Sequence, residues 1–398
     1  MRVIELDMVQ SIALGVLVLL IGKYLVDRIS ILRKYCIPEP VVGGTLFAIF
    51  ALICRQFNIL EIQLDTTLQG FMMTVFFCSV GFSASFQLLK RGGVKVGIFT
   101  ACAVGLVTLQ NVVGVAWTKV FDLNPLLGLA TGSIPMTGGH GTSAAFGPDL
   151  VNLGATNANT VALAAATFGL ISGSMLGGPT ANRLITKLGL KSSGNDAKTE
   201  AAITELNKEE PLEATNFSTA TFQILIAMGL GTIVSKWIAN AGITLPGYIG
   251  AMLVGAVIRN LSDTTGKFKV PMAELDILGG IALQLFLSMA LMGLKLWELA
   301  DLAIPLVIML ISQVILVFLY ATYVTFRACG GDYDAAVLAA GHCGFSLGAT
   351  PNGIANMTSV VNKFGPSPTA FFVMPLVGAL FIDFFNAGVI SFFINILA

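Results

Sequence analysis

The stretches GSIPMTGGHGTSAAFG at residues 132–147 and GHCGFSLGATPNGIANM at residues 341–357 each interrupt a long apolar region with Gly, Pro, Ser and Thr. Such runs cannot hold a continuous helix, so the chain must break there and leave amides and carbonyls unpaired at half-helix ends. Backbone of that kind is tolerated at membrane depth only where protein buries it or where it lines a cavity. The enclosing segments, 125–156 and 333–362, are therefore read as re-entrant or discontinuous helices.

Around them the chain has membrane character throughout. Its 398 residues are 55% hydrophobic and 11% charged, against about 25% charged in a soluble domain. A bilayer-spanning helix needs about 20 apolar residues. Ten segments approach or exceed that length: 10–27, 40–56, 68–89, 94–120, 159–185, 217–240, 246–261, 275–297, 302–327 and 369–396. The fold class expected is an all-α polytopic membrane protein embedded in a lipid bilayer. A net charge of zero gives no bulk attraction for nucleic acid. Glu5 and Asp7 precede the first apolar run where a secretory signal would be basic, and no small-residue cleavage site follows, so that run is expected to stay as a helix. Six scattered cysteines and two histidines show no metal-type spacing, so neither a transition-metal centre nor a cofactor is expected.

The two halves align at an offset close to 209 with little drift. IPEPVVGG at 37–44 meets LPGYIGAM at 245–252, FFCSVGF at 76–82 meets LFLSMAL at 285–291, and PLLGLATG at 125–132 meets DAAVLAAG at 334–341. Gly139 then pairs with Gly348, and Gly169 with Gly378. The expected organisation is a first five-helix repeat at 1–186, a polar linker at 187–216 and a second five-helix repeat at 217–398. Five spans is an odd number, so the second copy must lie inverted, as in many secondary transporters. The Lys and Arg distribution puts both termini outside and the linker inside, with the broken segments entering from opposite faces.

Amide ends of half-helices attract carboxylates, whereas carbonyl ends and hydroxyls attract small cations. The candidate solute contacts are Thr137, Gly138, Gly139, His140, Gly141, Thr142 and Ser143 in the first break, and Ser346, Thr350, Pro351, Asn352 and Asn356 in the second. Close helix packing would account for Gly and Ala there but not for the clustered Thr, Ser and Asn. His140 either bonds a solute or braces its turn, and His342 is read as a structural hydrogen-bonding group. Asp383 is the only acidic residue near the centre of an expected span, which makes it a functional candidate by default. Asp383, Asn386 and Asn111 form the candidate cation set, with Gln110 and Gln313 as weaker members. No Lys or Arg lies deep in a span, so the residues point to a small anionic or zwitterionic solute held by amides and hydroxyls. No nucleophile is paired with a base, so no enzyme is expected.

The chain closely resembles the bacterial glutamate:sodium symporter family. The resemblance is carried by KYCIPEPVVGG from Lys34, GLATGS from Gly128, TGGHGTSAAF from Thr137, ATFGLISGSMLGGP from Ala166, MGLKLWELA from Met292, YDAAVLAAGHCGFSLGATPNGIANM from Tyr333 and FGPSPTAFFVMPLVGALFIDFFNA from Phe364. It implies sodium-dependent L-glutamate uptake across the inner membrane, inverted five-plus-five repeats, and a homodimer in which one part is fixed and another moves. It also implies that TGGHGTS and GATPNGIANM supply substrate and sodium contacts. Pro135 and Ser143 are small departures from the family's usual reading of this region. Proton coupling through Asp383, another dicarboxylate or anionic amino acid as substrate, and a passive channel are the alternatives.

Overall fold

A computed structural model of the chain describes residues 2–91, 93–192, 212–241, 246–297 and 302–397. Most of the expected linker, 193–211, lies outside the described residues. The helices are α1 (Met8–Arg28), α2 (Ser30–Lys34), α3 (Glu39–Gln56), α4 (Thr67–Ser83), α5 (Phe86–Arg91), α6 (Gly93–Val120), α7 (Leu126–Leu129), α8 (Ser133–Met136), α9 (Gly139–Asn152) and α10 (Ala158–Leu188). They continue with α11 (Ala214–Asn240), α12 (Gly247–Thr265), α13 (Met272–Met292), α14 (Ala303–Tyr320), α15 (Tyr333–Leu347), α16 (Thr350–Phe364), α17 (Pro368–Pro375) and α18 (Ile382–Leu397).

Among the described residues nine helical stretches are long and apolar enough to cross a bilayer. The tenth expected span is present as α12, but its second half carries Arg259, Asn260 and Asp263, with Arg259 Nε 3.0 Å from Asp263 Oδ1. The expected span 68–89 is split at Ala84 and Ser85 into α4 and α5. Two others contain a wider π turn, Ala321–Thr325 after α14 and Leu376–Phe381 between α17 and α18. The second follows Pro375, which has no amide to donate and so forces the ladder to change register.

One element departs from the all-helical expectation. β1 (Arg2–Leu6) and β2 (Leu60–Leu64) form a parallel pair with Arg2 opposite Leu60 and Leu6 opposite Leu64. Each strand runs into a membrane helix, α1 or α4, so pairing them side by side puts both helix starts on one face and makes α3 the return crossing. An Asp7–Gln10 capping box starts α1, with Asp7 Oδ1 accepting from the Gln10 amide at 2.8 Å.

The helices form two groups. In the first, α1 packs on α3 and α13, α3 on α13, α4 on α12 and α13, and α11 on α12. In the second, α10 packs on α9, α15 and α16, while α6 holds α14 and α18. The seam between them is apolar, with Phe77, Tyr248, Phe286 and Leu287 facing Ala144, Phe146 and Leu163. Outer helices bury little: α1 buries only Ser11, Gly15, Val18 and Gly22, and α11 only Ala220, Ile224, Ala227 and Gly231. Their remaining faces are apolar and outward, which suits acyl chains, while the small stripes let backbones approach closely.

Candidate substrate and ion site

Both broken segments are interrupted where glycine falls. In the first, Gly132 separates α7 from α8, and Thr137 and Gly138 separate α8 from α9. Gly139 opens α9 with φ at 62°, a left-handed conformation that a side chain would strain. In the second, α15 stops at Leu347, Gly348 and Ala349 are non-helical, and α16 restarts with Pro351 in its first turn. The two breaks meet: a Cβ built on Gly139 would lie 3.1 Å from Gly348 O.

Gln110 of α6 braces the meeting point. Its Nε2 donates to Ser346 O at 2.8 Å, and its Oε1 accepts from the Thr137 hydroxyl at 2.7 Å. Gln313 Nε2 donates in turn to Gln110 O at 2.8 Å. These glutamines, weak cation candidates by sequence, hold the breaks together.

A cavity of about 520 Å³ opens beside the breaks, on the seam between the helix groups. Thr137, Gly138, Gly139, His140, Gly141, Thr350, Pro351 and Asp383 line it from one group. Glu39, Phe76 and Gln284 line it from the other. His140 Nε2 lies 2.9 Å from Thr167 Oγ1, whose own hydrogen goes to Leu163 O at 3.2 Å, so the imidazole donates and its turn is braced against α10. The Thr350 hydroxyl donates to Gly378 O at 2.6 Å, tying the start of α16 to the π turn.

The remaining expected contacts lie off the cavity wall. Thr142 is buried, and the Ser143 hydroxyl donates to Gly139 O at 2.7 Å. Ser346 is buried with its hydroxyl turned back to His342 O. Asn352 Nδ2 reaches Leu170 O at 3.2 Å, and Asn356 Nδ2 reaches Gly173 O at 2.8 Å, so both fasten α16 to α10. His342 Nδ1 lies 2.8 Å from Thr325 Oγ1, in the π turn after α14.

Within the cation set, Asp383 faces the cavity while Asn111 and Asn386 meet elsewhere, at Ser133. Asn111 Oδ1 accepts from the Ser133 amide at 2.9 Å, and Asn386 Nδ2 donates to Ser133 O at 3.1 Å. Asn111 Nδ2, Ser133 Oγ and Asn386 Oδ1 are buried with no protein hydrogen-bond partner among the described residues.

The cavity is polarised. The first amides of a helix have no intrahelical partner, so Gly139, His140 and Gly141 of α9 and Thr350 of α16 present donors. At α3, Pro38 and Pro40 have no N–H, and the side chain there is the Glu39 carboxylate. Sequence reasoning passed over Glu39 although its motif was in view. The available signal was an acidic residue between two prolines at a helix start.

A family model described as Sodium/glutamate symporter matches residues 4–366. The sodium/glutamate symporter of Escherichia coli K12 is 42% identical over 393 residues, and that of Haemophilus influenzae is 40% identical over 398, each covering 98% of both chains. The solved sodium proton antiporter MjNhaP1 from Methanocaldococcus jannaschii is 14% identical with a TM-score of 0.44, too loose a likeness to match helices one to one. With a family model over nine-tenths of its length and relatives at 40–42% identity along nearly all of it, the chain belongs to the sodium/glutamate symporter family.

Proposed function

We propose that the protein imports L-glutamate together with sodium by alternating access, as a multi-pass protein of the bacterial inner membrane. The observation that carries this reading is the cavity itself, walled by both helix breaks and by Asp383 and set on the seam between two helix groups. The matched family and the names of its relatives supply the substrate and the ion. Amide-bearing starts of α9 and α16 suit carboxylates, and the Asp383 carboxylate suits sodium. Asn386 stays in the proposed cation set through its unpartnered Oδ1 beside Ser133 Oγ, and Asn111 through its Oδ1, which accepts from the Ser133 amide and has a second lone pair to offer.

The group built on α1, α3, α4 and α11–α13 is proposed as the fixed part, and the group that carries the breaks as the moving part. An apolar seam offers few directional bonds, so one group can slide on the other at small cost. Burial supports the repeat that such a mechanism uses. The buried stripe of α1 recurs in α11 at 209 residues' distance, Ser11 against Ala220 and Gly22 against Gly231. Pro40, Val41, Gly43 and Ala48 of α3 match Tyr248, Ile249, Ala251 and Ala256 of α12. Val161, Ala165, Gly169 and Gly177 of α10 match Ala370, Met374, Gly378 and Asn386. In α6 and α14 the register differs: Leu106, Gln110 and Gly114 match Met309, Gln313 and Val317 at an offset of 203.

Periplasmic termini and a homodimer complete the proposal. The outward apolar faces of α1 and α11, with Leu17, Leu20, Phe222 and Leu225 exposed, give the fixed group surface for a second copy. The test is uptake of radiolabelled glutamate by proteoliposomes under an inward sodium gradient, with potassium replacing sodium as control. Sodium-dependent accumulation above equilibrium supports the reading. Accumulation driven by a proton gradient alone would replace sodium with protons, and equilibration without accumulation would indicate a channel.

A further inference from the structure

Among the described residues that line the cavity, Glu39 and Asp383 are the only carboxylates. Among the described residues no Lys or Arg lines it beside them. Asp383 comes from the group that carries the breaks and Glu39 from the opposite group, where it is half-buried. Among the described residues no hydrogen bond or ion pair holds the Glu39 carboxylate. A half-buried carboxylate at a cavity wall that no described Lys or Arg lines is free to pair with a cation that enters with the ligand.

The donors and acceptors also lie apart. Donors come from the starts of α9 and α16; acceptors come from Glu39 and Asp383. Proline at 38 and 40 removes the amides that would otherwise make the start of α3 a third carboxylate site. A solute with carboxylates alone would leave both acidic side chains to the coupling ion. A solute that also carries an ammonium group fills both kinds of wall at once.

We infer that Glu39 recognises the α-ammonium group of the substrate and thereby selects amino acids over plain dicarboxylates, with Asp383 left to the coupling ion. This rests on the transport reading above. It assigns a specificity residue to the fixed group, so the ammonium contact forms only when the cavity is aligned with α3. Substrate binding is thereby linked to one position of the moving group.

The experiment compares wild type, E39Q and E39D in sodium-driven proteoliposome uptake. Glutamate is the substrate, and glutarate, which has the same two carboxylates and no amine, is the competitor. Loss of a charge-assisted hydrogen bond changes affinity about tenfold or more. E39Q is expected to raise the glutamate KM by about that factor, with a smaller effect on kcat, and to leave the inhibition constant of glutarate unchanged or lower. E39D, which keeps the charge, is expected to restore part of the discrimination.

An equal change for glutamate and glutarate, or no change in either, overturns the inference while leaving the transport reading intact. If E39Q does not transport, glutamate- and glutarate-dependent thermal shifts of the purified protein give the same ratio, and a wild-type ratio overturns the inference. Absence of sodium-dependent glutamate uptake by wild type overturns the transport reading and this inference with it.

Discussion

The Thr137 hydroxyl lies 3.4 Å from the Ser346 carbonyl oxygen across the junction of the two broken segments, and the two residues are 209 positions apart in the chain. That separation equals the offset at which the halves of the sequence align. Gln110 binds to both, accepting from one and donating to the other. A buried amide that serves two breaks is expensive to remove, because both partners lose their bonds without access to water. Gln110→Leu is therefore expected to destabilise the protein by about 1–3 kcal/mol. A lowered thermal midpoint in detergent, with a raised glutamate KM, is the expected result; an unchanged midpoint would mean that water or neighbouring groups replace the brace.

Asp383 is the one acidic side chain that the group carrying the breaks brings to the cavity wall among the described residues. Asp383→Asn keeps the shape and removes the charge. The sodium concentration for half-maximal uptake is expected to rise about tenfold or more, in keeping with a lost charged contact. The check is a sodium titration at fixed glutamate; coincidence with wild type would take Asp383 off the list of ion ligands.

Opposed breaks at one cavity make a prediction about access. Cysteine at Ala349 or Ala379, both on the wall, in a protein with Cys36 replaced by Ser, should react with a hydrophilic thiol reagent. Glutamate and sodium together should slow the reaction severalfold, by occlusion and by closing the path. Equal rates with and without the solutes would place the site elsewhere.

How much of this the sequence disclosed depends on which physical rule applied. Apolar length located the helices to within a few residues at most ends, and glycine with proline located the breaks, because both effects are local. Asp383 was legible because a carboxylate in mid-span has few uses. Asn352 and Asn356 were not: an amide in a Gly-rich tip can face a solute or a neighbouring carbonyl, and only packing shows that they face α10. Glu39 was hidden for the opposite reason, since an acidic residue in the first turn of a helix is ordinary. The π turns at 321–325 and 376–381 change which side chains face inward without leaving a clear mark on composition.

Close crossings predict a contrast between two nearby glycines in α11. A Cβ on Gly231 would overlap the backbone of Ala251 in α12, whereas a Cβ on Gly229 meets nothing within 4 Å. Gly231→Ala must therefore push α11 off α12, at about 1–3 kcal/mol. Gly229→Ala should be neutral or slightly stabilising, because alanine favours the helix. Thermal midpoints of the two variants decide it, and equal midpoints would mean that α11 is not seated on α12 as described.

Ser133 separates an ion-binding role from a structural one. Its amide and carbonyl are held by Asn111 and Asn386, so its backbone stays fixed whatever the side chain. Its hydroxyl is buried and makes no hydrogen bond among the described residues. Removing an unsatisfied hydroxyl costs the fold little and can relieve it of a desolvation penalty. Ser133→Ala is thus expected to leave the thermal midpoint unchanged or slightly raised. If Ser133 Oγ and Asn386 Oδ1 hold a sodium ion during the cycle, the same substitution removes one oxygen ligand and should raise the half-maximal sodium concentration severalfold. Asn386→Ala should have the same effect on sodium and also lower the midpoint, because it releases the Ser133 carbonyl. A sodium titration of Ser133→Ala that overlays wild type would restrict Asn111 and Asn386 to bracing α8 and leave Asp383 as the proposed ion ligand.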